Sequence, residues 1–210
     1  WNVKADDTFI KSQKKLSIII IDNILYFNNS TGDITAVDIN TGSMLWQRPT
    51  QNNTTYEDAF LLKNSRIVSD AENIYVSNNK NKFFAIDGSN GIIKWEQAIN
   101  SYLTPTIIEN LIFTISEEGY FIILDKENGN IIRSTNILKN NDNNKINPTG
   151  FIVAKDNLYV SMDNGRILKV NIEDGITKQI IKIDGDKILR PYILNKKMYI
   201  LKSNAIVKIE

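Results

Sequence analysis

The chain has 210 residues, with 25 basic against 24 acidic side chains, 42% hydrophobic residues, and neither Cys nor His. The balanced charge argues against a nucleic-acid binder, which needs a concentrated positive field, and the length allows one core of ordinary depth or two small ones. Without Cys and His there is no disulfide, thiolate zinc site, cysteine nucleophile, Ser-His-Asp triad or imidazole base, so much enzyme chemistry is closed before any motif is read.

No apolar run approaches the roughly 20 residues of a membrane-spanning helix. The longest, residues 16–21, is bounded by Lys15 and Asp22. Lys15 joins Lys11 and Lys14 in a small basic cluster, read as a solvated edge rather than a contact for lipid or an acidic partner. Beyond it, short apolar clusters alternate with Asn, Asp and Gly, the punctuation of strands and turns.

A repeat then emerges, of the form Asp-x-x-x-Gly-x-x-x-Trp. It stands as Asp38, Gly42 and Trp46, and again as Asp87, Gly91 and Trp95. Degenerate copies are Asp125, Gly129 and Arg133, then Asn171, Gly175 and Gln179. Twelve residues before each first position stands an aromatic: Tyr26, Tyr75, Phe113 and Tyr159. Gly32, Gly119 and Gly165 mark a second turn inside their units, and Asn81 takes that place in the second unit. A fifth copy begins with Tyr199 and Asn204 and has Glu210 at the Asp position. Successive first positions lie 38 to 49 residues apart.

Each unit holds four short strands. In the third they are expected at Thr106–Ile108, 111–116, Tyr120–Asp125 and 131–135. Four strands in roughly 40 residues is the signature of a propeller blade, whose sheet buries its faces only by stacking on neighbours. The fold expected is therefore all-β, one β-propeller domain over residues 1–210. Its four-stranded antiparallel blades fall at about 16–51, 65–100, 104–137, 146–183 and 188–210. Four are complete, and the fifth is closed by the N-terminal strand, residues 1–4, with Trp1 at the Trp position and pairing to Ala205–Ile209.

The repeated residues have local reasons. Asp38, Asp87 or Asp125 can accept hydrogen bonds from backbone N–H groups two or three residues on. Gly42, Gly91, Gly129 and Gly175 can close the turn. Trp46 and Trp95 can pack into the next blade, each burying about 150–250 Å² of ring. These positions are read as scaffold.

The stretches LYFNNSTGDITAVDINTGSMLW, IYVSNNKNKFFAIDGSNGIIKW and LIFTISEEGYFIILDKENGNIIR resemble the pyrroloquinoline-quinone-type propeller repeat. Together with the C-terminal units, they are similar to the BamB family of outer-membrane β-barrel assembly lipoproteins. That resemblance implies a non-catalytic scaffold in the periplasm, associated with the outer membrane, its signal and lipid anchor lying outside this chain. It also implies a protein partner, the barrel-inserting assembly subunit. The family usually carries eight blades, so a fragment of an eight-bladed propeller is the other reading of the fold.

The alternative function is a quinone- or small-ligand-binding propeller, a dehydrogenase-like enzyme or a sensor domain. Such enzymes use a catalytic carboxylate, a calcium or lanthanide site and commonly an adjacent-cysteine disulfide. Here the recurring carboxylates sit at turn positions, and no cofactor, metal or catalytic residue is assigned. The run from Lys139 to Lys145 around Asp142 lacks the spacing of a calcium loop and reads as a solvated connector. Asp184, Gly185 and Asp186 read as a turn. Asn29, Asn52 and Asn53 match glycosylation acceptors, a chance pattern in an Asn-rich chain.

Two connectors are not explained by the repeat, 47–65 and 138–147. Both are expected on the face that carries turns 28–32, 77–81, 115–119 and 161–165. Loops on a rigid scaffold are where binding concentrates. Tyr56, Phe60, Leu61 and Leu62 are the candidate partner-binding residues, with local packing as the other reading.

Overall fold

The computed structural model describes residues 1–3, 16–29, 31–51, 61–138 and 146–209. These form successive antiparallel sheets. The first comprises β1 (Ile18–Ile21), β2 (Ile24–Asn28), β3 (Ile34–Asp38) and β4 (Met44–Arg48), in chain order. The second comprises β5 (Val68–Ser69), β6 (Asn73–Asn78), β7 (Lys82–Asp87) and β8 (Ile93–Gln97), again in chain order. The third runs β9 (Thr106–Ile108), β10 (Leu111–Ile115), β11 (Tyr120–Asp125) and β12 (Ile131–Asn136), within one residue of the expected bounds. The fourth holds β13 (Pro148–Ala154), β14 (Asn157–Met162), β15 (Arg166–Asn171) and β16 (Thr177–Lys182). The fifth holds β17 (Tyr192–Leu194), β18 (Lys197–Lys202) and β19 (Ala205–Ile209).

The strands are rich in Ile, Val, Tyr and Phe, side chains that suit a pleated surface. Tight turns separate them. Left-handed backbone occurs at Asp22 (φ 50), Glu109 (φ 52) and Lys155 (φ 51), in the turns between first and second strands. Asn81, in the place held elsewhere by a glycine, has φ 61, a conformation Asn tolerates better than most residues.

A bulge recurs between the third and fourth strands. Val37 pairs with Met44 and Ala36 with Trp46, so Leu45 is the extra residue. Ile86 pairs with Ile93 and Ala85 with Trp95, leaving out Lys94. Val170 pairs with Thr177 and Lys169 with Gln179, leaving out Lys178. A bulge re-aims the side chain beside it, and here it turns position 46, 95 or 179 to one defined face of its sheet.

Two compact units divide the chain: Trp1–Ile112 with Leu124–Asn130, and Phe113–Ile123 with Ile131–Glu210. The division runs through the third sheet. In the first unit Tyr26, Ile34 and Ala36 of the first sheet pack against Ile74, Val76, Phe84 and Ile86 of the second. In the second unit Ile167 packs with Ile188 and Ile200, flanked by Tyr159, Met198 and Ile209. Sheets thus bury their faces on one another, as short isolated sheets must to be stable.

The fifth sheet corrects one expectation. It has three strands among the described residues, in the order β17-β18-β19. Residues 1–3 form no strand, so the expected pairing of residues 1–4 with Ala205–Ile209 is absent from the described residues. Lys4 and Glu210 lie outside them. Trp1 is engaged by its indole instead: Nε1 donates to the Ile39 carbonyl at 3.0 Å, and the ring lies over Gly42.

Candidate docking face and the repeated turn

The Asp of the repeat is consumed by its own turn. Asp38 Oδ1 accepts from the N–H groups of Asn40 (3.0 Å) and Thr41 (2.8 Å) and from the Thr41 hydroxyl (2.9 Å). Its carbonyl accepts from Gly42 N–H at 2.9 Å. Asp87 Oδ1 accepts from Ser89 N–H (2.9 Å) and its hydroxyl (2.6 Å). Asp125 Oδ1 accepts from Glu127 and Asn128 N–H, and the Asn171 amide oxygen does the same for Glu173 and Asp174. The Thr41 N–H holds the Asp38 carboxyl below the usual carboxylate range, and the Ser89 hydroxyl does so for Asp87. A carboxylate so engaged is a poor general base, because each hydrogen bond favours the ionised form.

The Gly of the turn receives a side chain from elsewhere. The Trp46 ring covers Gly91 and its Nε1 donates to the Gly88 carbonyl at 2.8 Å. The Trp95 ring covers Gly129 and its Nε1 donates to the Lys126 carbonyl at 3.0 Å. Trp1 on Gly42 repeats the same pair of contacts. At Gly175 the covering side chain is Thr135, not Arg133. Arg133 lies over the Phe121 ring, 6.0 Å from its centroid. The aromatic of each full repeat supports its Trp: Tyr26 is 5.9 Å from Trp46 and Tyr75 6.0 Å from Trp95, ring centre to ring centre.

A charged staple that sequence reading misses joins the second sheet to the turn of the third. Asp70 Oδ2 accepts from the Tyr75 hydroxyl at 3.0 Å and lies 3.1 Å from Lys126 Nζ, while Oδ1 accepts from Asn73 N–H at 2.8 Å. Burial alone raises the Asp70 carboxyl; the Asn73 N–H, Lys126 and Tyr75 outweigh it and bring it to about 2. Burial, then Asp70, pushes the Tyr75 hydroxyl up, so it remains a donor. The bonds to Asn73 and Tyr75 are local, but Lys126 reaches Asp70 only through tertiary placement, so no sequence spacing marks the pair.

The connectors meet the turns between second and third strands. In the first unit the Leu62 side chain is fully buried and reaches 2.6 Å from where a Cβ on Gly32 would stand. Leu61 is 62% exposed, and its carbonyl accepts from Asn79 Nδ2. Lys63 N–H donates to Asn79 Oδ1 at 2.7 Å. In the second unit Leu138 covers Gly119, and Asn147 donates from N–H and Nδ2 to the Asp163 carboxylate. Asp184 N–H and Ile183 N–H donate to the Gly165 carbonyl. Leu62 is thereby corrected from a partner-binding candidate to a core residue, because a side chain sealed under Gly32 presents nothing to a partner. Tyr56 and Phe60 lie outside the described residues, as do Lys11, Lys14, Lys15 and the run from Lys139 to Lys145. Among the described residues no three His, Cys, Asp or Glu side chains converge to hold a metal ion, and no helix is long and apolar enough to cross a membrane.

Successive four-stranded sheets, each carrying an Asp–Gly or Asn–Gly turn whose glycine is covered by a side chain from earlier in the chain, define a repeat protein of the β-propeller class. Comparison with known proteins agrees. The family model described as outer membrane protein assembly factor BamB matches residues 1–135. The chain belongs to that family of pyrroloquinoline-quinone-type repeat propellers. The assembly factor BamB of Yersinia pestis is 20% identical over 156 residues, 71% of this chain and 35% of that protein. An uncharacterized protein of Rickettsia prowazekii is 24% identical over 204 residues, 92% of this chain and 48% of its own length. The crystal structure of BamB from Moraxella catarrhalis superposes with a TM-score of 0.63 at 15% identity, covering 91% of this chain and 70% of the other. The chain therefore spans half or less of the curated relatives it matches.

Proposed function

We propose that this chain is part of a non-catalytic propeller scaffold, periplasmic and outer-membrane-associated, that supports insertion of β-barrel proteins by docking a protein partner. The observation that carries this reading is the use of the recurring carboxylates. Asp38, Asp87 and Asp125 each spend an oxygen on backbone N–H groups of their own turn, which favours scaffold over chemistry. Membership of the BamB family supports the assembly role. The barrel-inserting subunit of the same cell is the partner proposed.

The docking surface on this reading is the face of the turns between second and third strands. Leu61 is its exposed apolar residue at the end of the first connector, and Tyr56 and Phe60 precede it in sequence. The Leu61 carbonyl and the Lys63 N–H are both held by the Asn79 side chain, so an exposed leucine here loses little order on binding. The test is co-purification of the full-length natural protein with the barrel-inserting subunit. Retention of the subunit supports the proposal. A clean preparation without it, or one that carries a quinone chromophore and stoichiometric calcium, overturns it.

A further inference from the structure

We propose that Asn164 is a site of spontaneous covalent modification, at which its side-chain amide cyclises onto Gly165 and hydrolyses to aspartate and isoaspartate. The chain holds three Asn-Gly dipeptides, Asn90-Gly91, Asn128-Gly129 and Asn164-Gly165. Glycine is the successor that hinders this cyclisation least, because it has no side chain to crowd the attacking nitrogen. The dipeptides alone rank the three sites alike, and the fold separates them.

Two of the three are restrained. Asn90 Oδ1 accepts from Ile92 N–H, and Asn128 Oδ1 from Asn130 N–H, both at 2.8 Å. The attacking nitrogens are engaged as well. Gly91 N–H donates to the Asp87 carbonyl and Gly129 N–H to the Asp125 carbonyl, both at 2.9 Å. An indole lies on each glycine, Trp46 on Gly91 and Trp95 on Gly129. Cyclisation at either site breaks two short hydrogen bonds and shifts a glycine pinned under a ring. Asn164 is held by less. Its Oδ1 is buried, and no described residue donates to it. Gly165 N–H meets the Met162 carbonyl at 3.3 Å, longer than the roughly 2.7–3.2 Å of a well-formed bond. An unpaired buried oxygen carries a desolvation cost in the folded state, and it gives up no bond when the amide rotates.

The reaction needs only water. The Gly165 nitrogen gives its proton to hydroxide and attacks Asn164 Cγ. The N–Cγ bond forms, the Cγ–Nδ2 bond breaks, and Nδ2 takes a proton from water and leaves as ammonia. Water then opens the five-membered imide, at Cγ to give aspartate or at the main-chain carbonyl to give isoaspartate. The net change is amide plus water to carboxylic acid plus ammonia, with nothing oxidised or reduced. The turn anchors two neighbours, so the product has structural consequences. The Gly165 carbonyl accepts from Ile183 N–H at 2.9 Å and Asp184 N–H at 3.1 Å. Gly165 also packs against the Asp184 and Asp186 carbonyl oxygens. On the other side, the Asp163 carboxylate accepts from Asn147 N–H and Nδ2. Isoaspartate adds a methylene to the main chain between these anchors and a negative charge beside Asp163, which loosens both.

The inference does not rest on the assembly role. The test is a time course of the folded, full-length natural protein at mildly alkaline pH, read by peptide mass spectrometry and by isoaspartyl methyltransferase labelling. Asn164 should convert at least about tenfold faster than Asn90 or Asn128, the contrast that two short hydrogen bonds make to a barrier. In guanidinium chloride the three sites should convert at rates within about threefold of one another, because the bonds that separate them are gone. Asn164→Gln, whose cyclisation needs a larger ring, should lose the signal at 164 while its melting temperature matches the parent. The parent's melting temperature should fall as isoaspartate accumulates, and that of Asn164→Gln should hold. Equal rates at the three sites in the folded protein overturn the proposal. So does faster conversion at Asn90 or Asn128, no conversion at Asn164, or a contrast that persists undiminished in the unfolded chain.

Discussion

The indole of Trp46 lies flat against Gly91, so close that a Cβ on that glycine would stand 2.7 Å from Trp46 Cδ2. Gly91 also has φ +72. Two costs therefore fall on any larger residue there: a left-handed backbone and an overlap with a ring that cannot retreat without leaving the Gly88 carbonyl. Gly91→Ala should destabilise the protein by about 2–4 kcal/mol in urea unfolding. Gly185→Ala, where nothing lies within 4 Å of the new methyl, should stay within about 0.5 kcal/mol of the parent. Equal stability of the two variants would contradict the packing.

Asp70 links acid sensitivity to the junction of the second and third sheets. Its folded pKa is about 2, below the unfolded value near 4. A depressed carboxylate stabilises the fold fully above the unfolded value, and that stability drains away as pH falls through the folded one. The window is therefore between about pH 4 and about pH 2. Asp70→Asn should cost about 1–3 kcal/mol at neutral pH and flatten the urea midpoint across that window, as a lost charged hydrogen-bond centre would. Lys126→Met should act in the same direction with a smaller effect. A full-sized acid slope in Asp70→Asn would assign the sensitivity to other groups.

Leu61 and Leu62 are neighbours with opposite roles. Leu62 is fully buried, and Leu62→Ala should cost about 2–5 kcal/mol, the range for an emptied core site. Leu61 is mostly exposed, and Leu61→Ser should change stability by less than about 0.5 kcal/mol. Differential scanning calorimetry on the pair checks this; a large melting shift in Leu61→Ser would place that side chain in the core as well.

What could be read in advance follows from which forces are local. The Asp-x-x-x-Gly turn is closed by bonds spanning two to four residues, so Asp38, Asp87 and Asp125 were legible with their roles. Strands announced themselves through Ile-rich clusters between turns, and the third sheet falls within a residue of its expected bounds. The choices set by packing were not legible. Arg133 holds the Trp position by count, yet Thr135 covers Gly175, because an arginine can lie over Phe121 and a short side chain fits the glycine. For Leu62 the sequence leaves docking and local packing both open, and the space above Gly32 decides for packing. Trp1 covers the Gly42 turn as Trp46 and Trp95 cover theirs, without the expected strand pairing, since the indole bond to Ile39 needs no ladder. Asp70 and Lys126 meet only through tertiary placement.

The central claim, a scaffold that docks a protein partner through its turn face, is tested most directly by photo-crosslinking in the source cell. A crosslinking residue is placed at position 61 of the full-length protein, with a second at Asn90, an exposed residue of the turn between the third and fourth strands of the second sheet, as the reference. Position 61 is expected to trap the barrel-inserting outer-membrane assembly subunit in a strong, discrete adduct, and position 90 is not. Absence of that adduct from position 61 in a stable, correctly folded protein would contradict the claim.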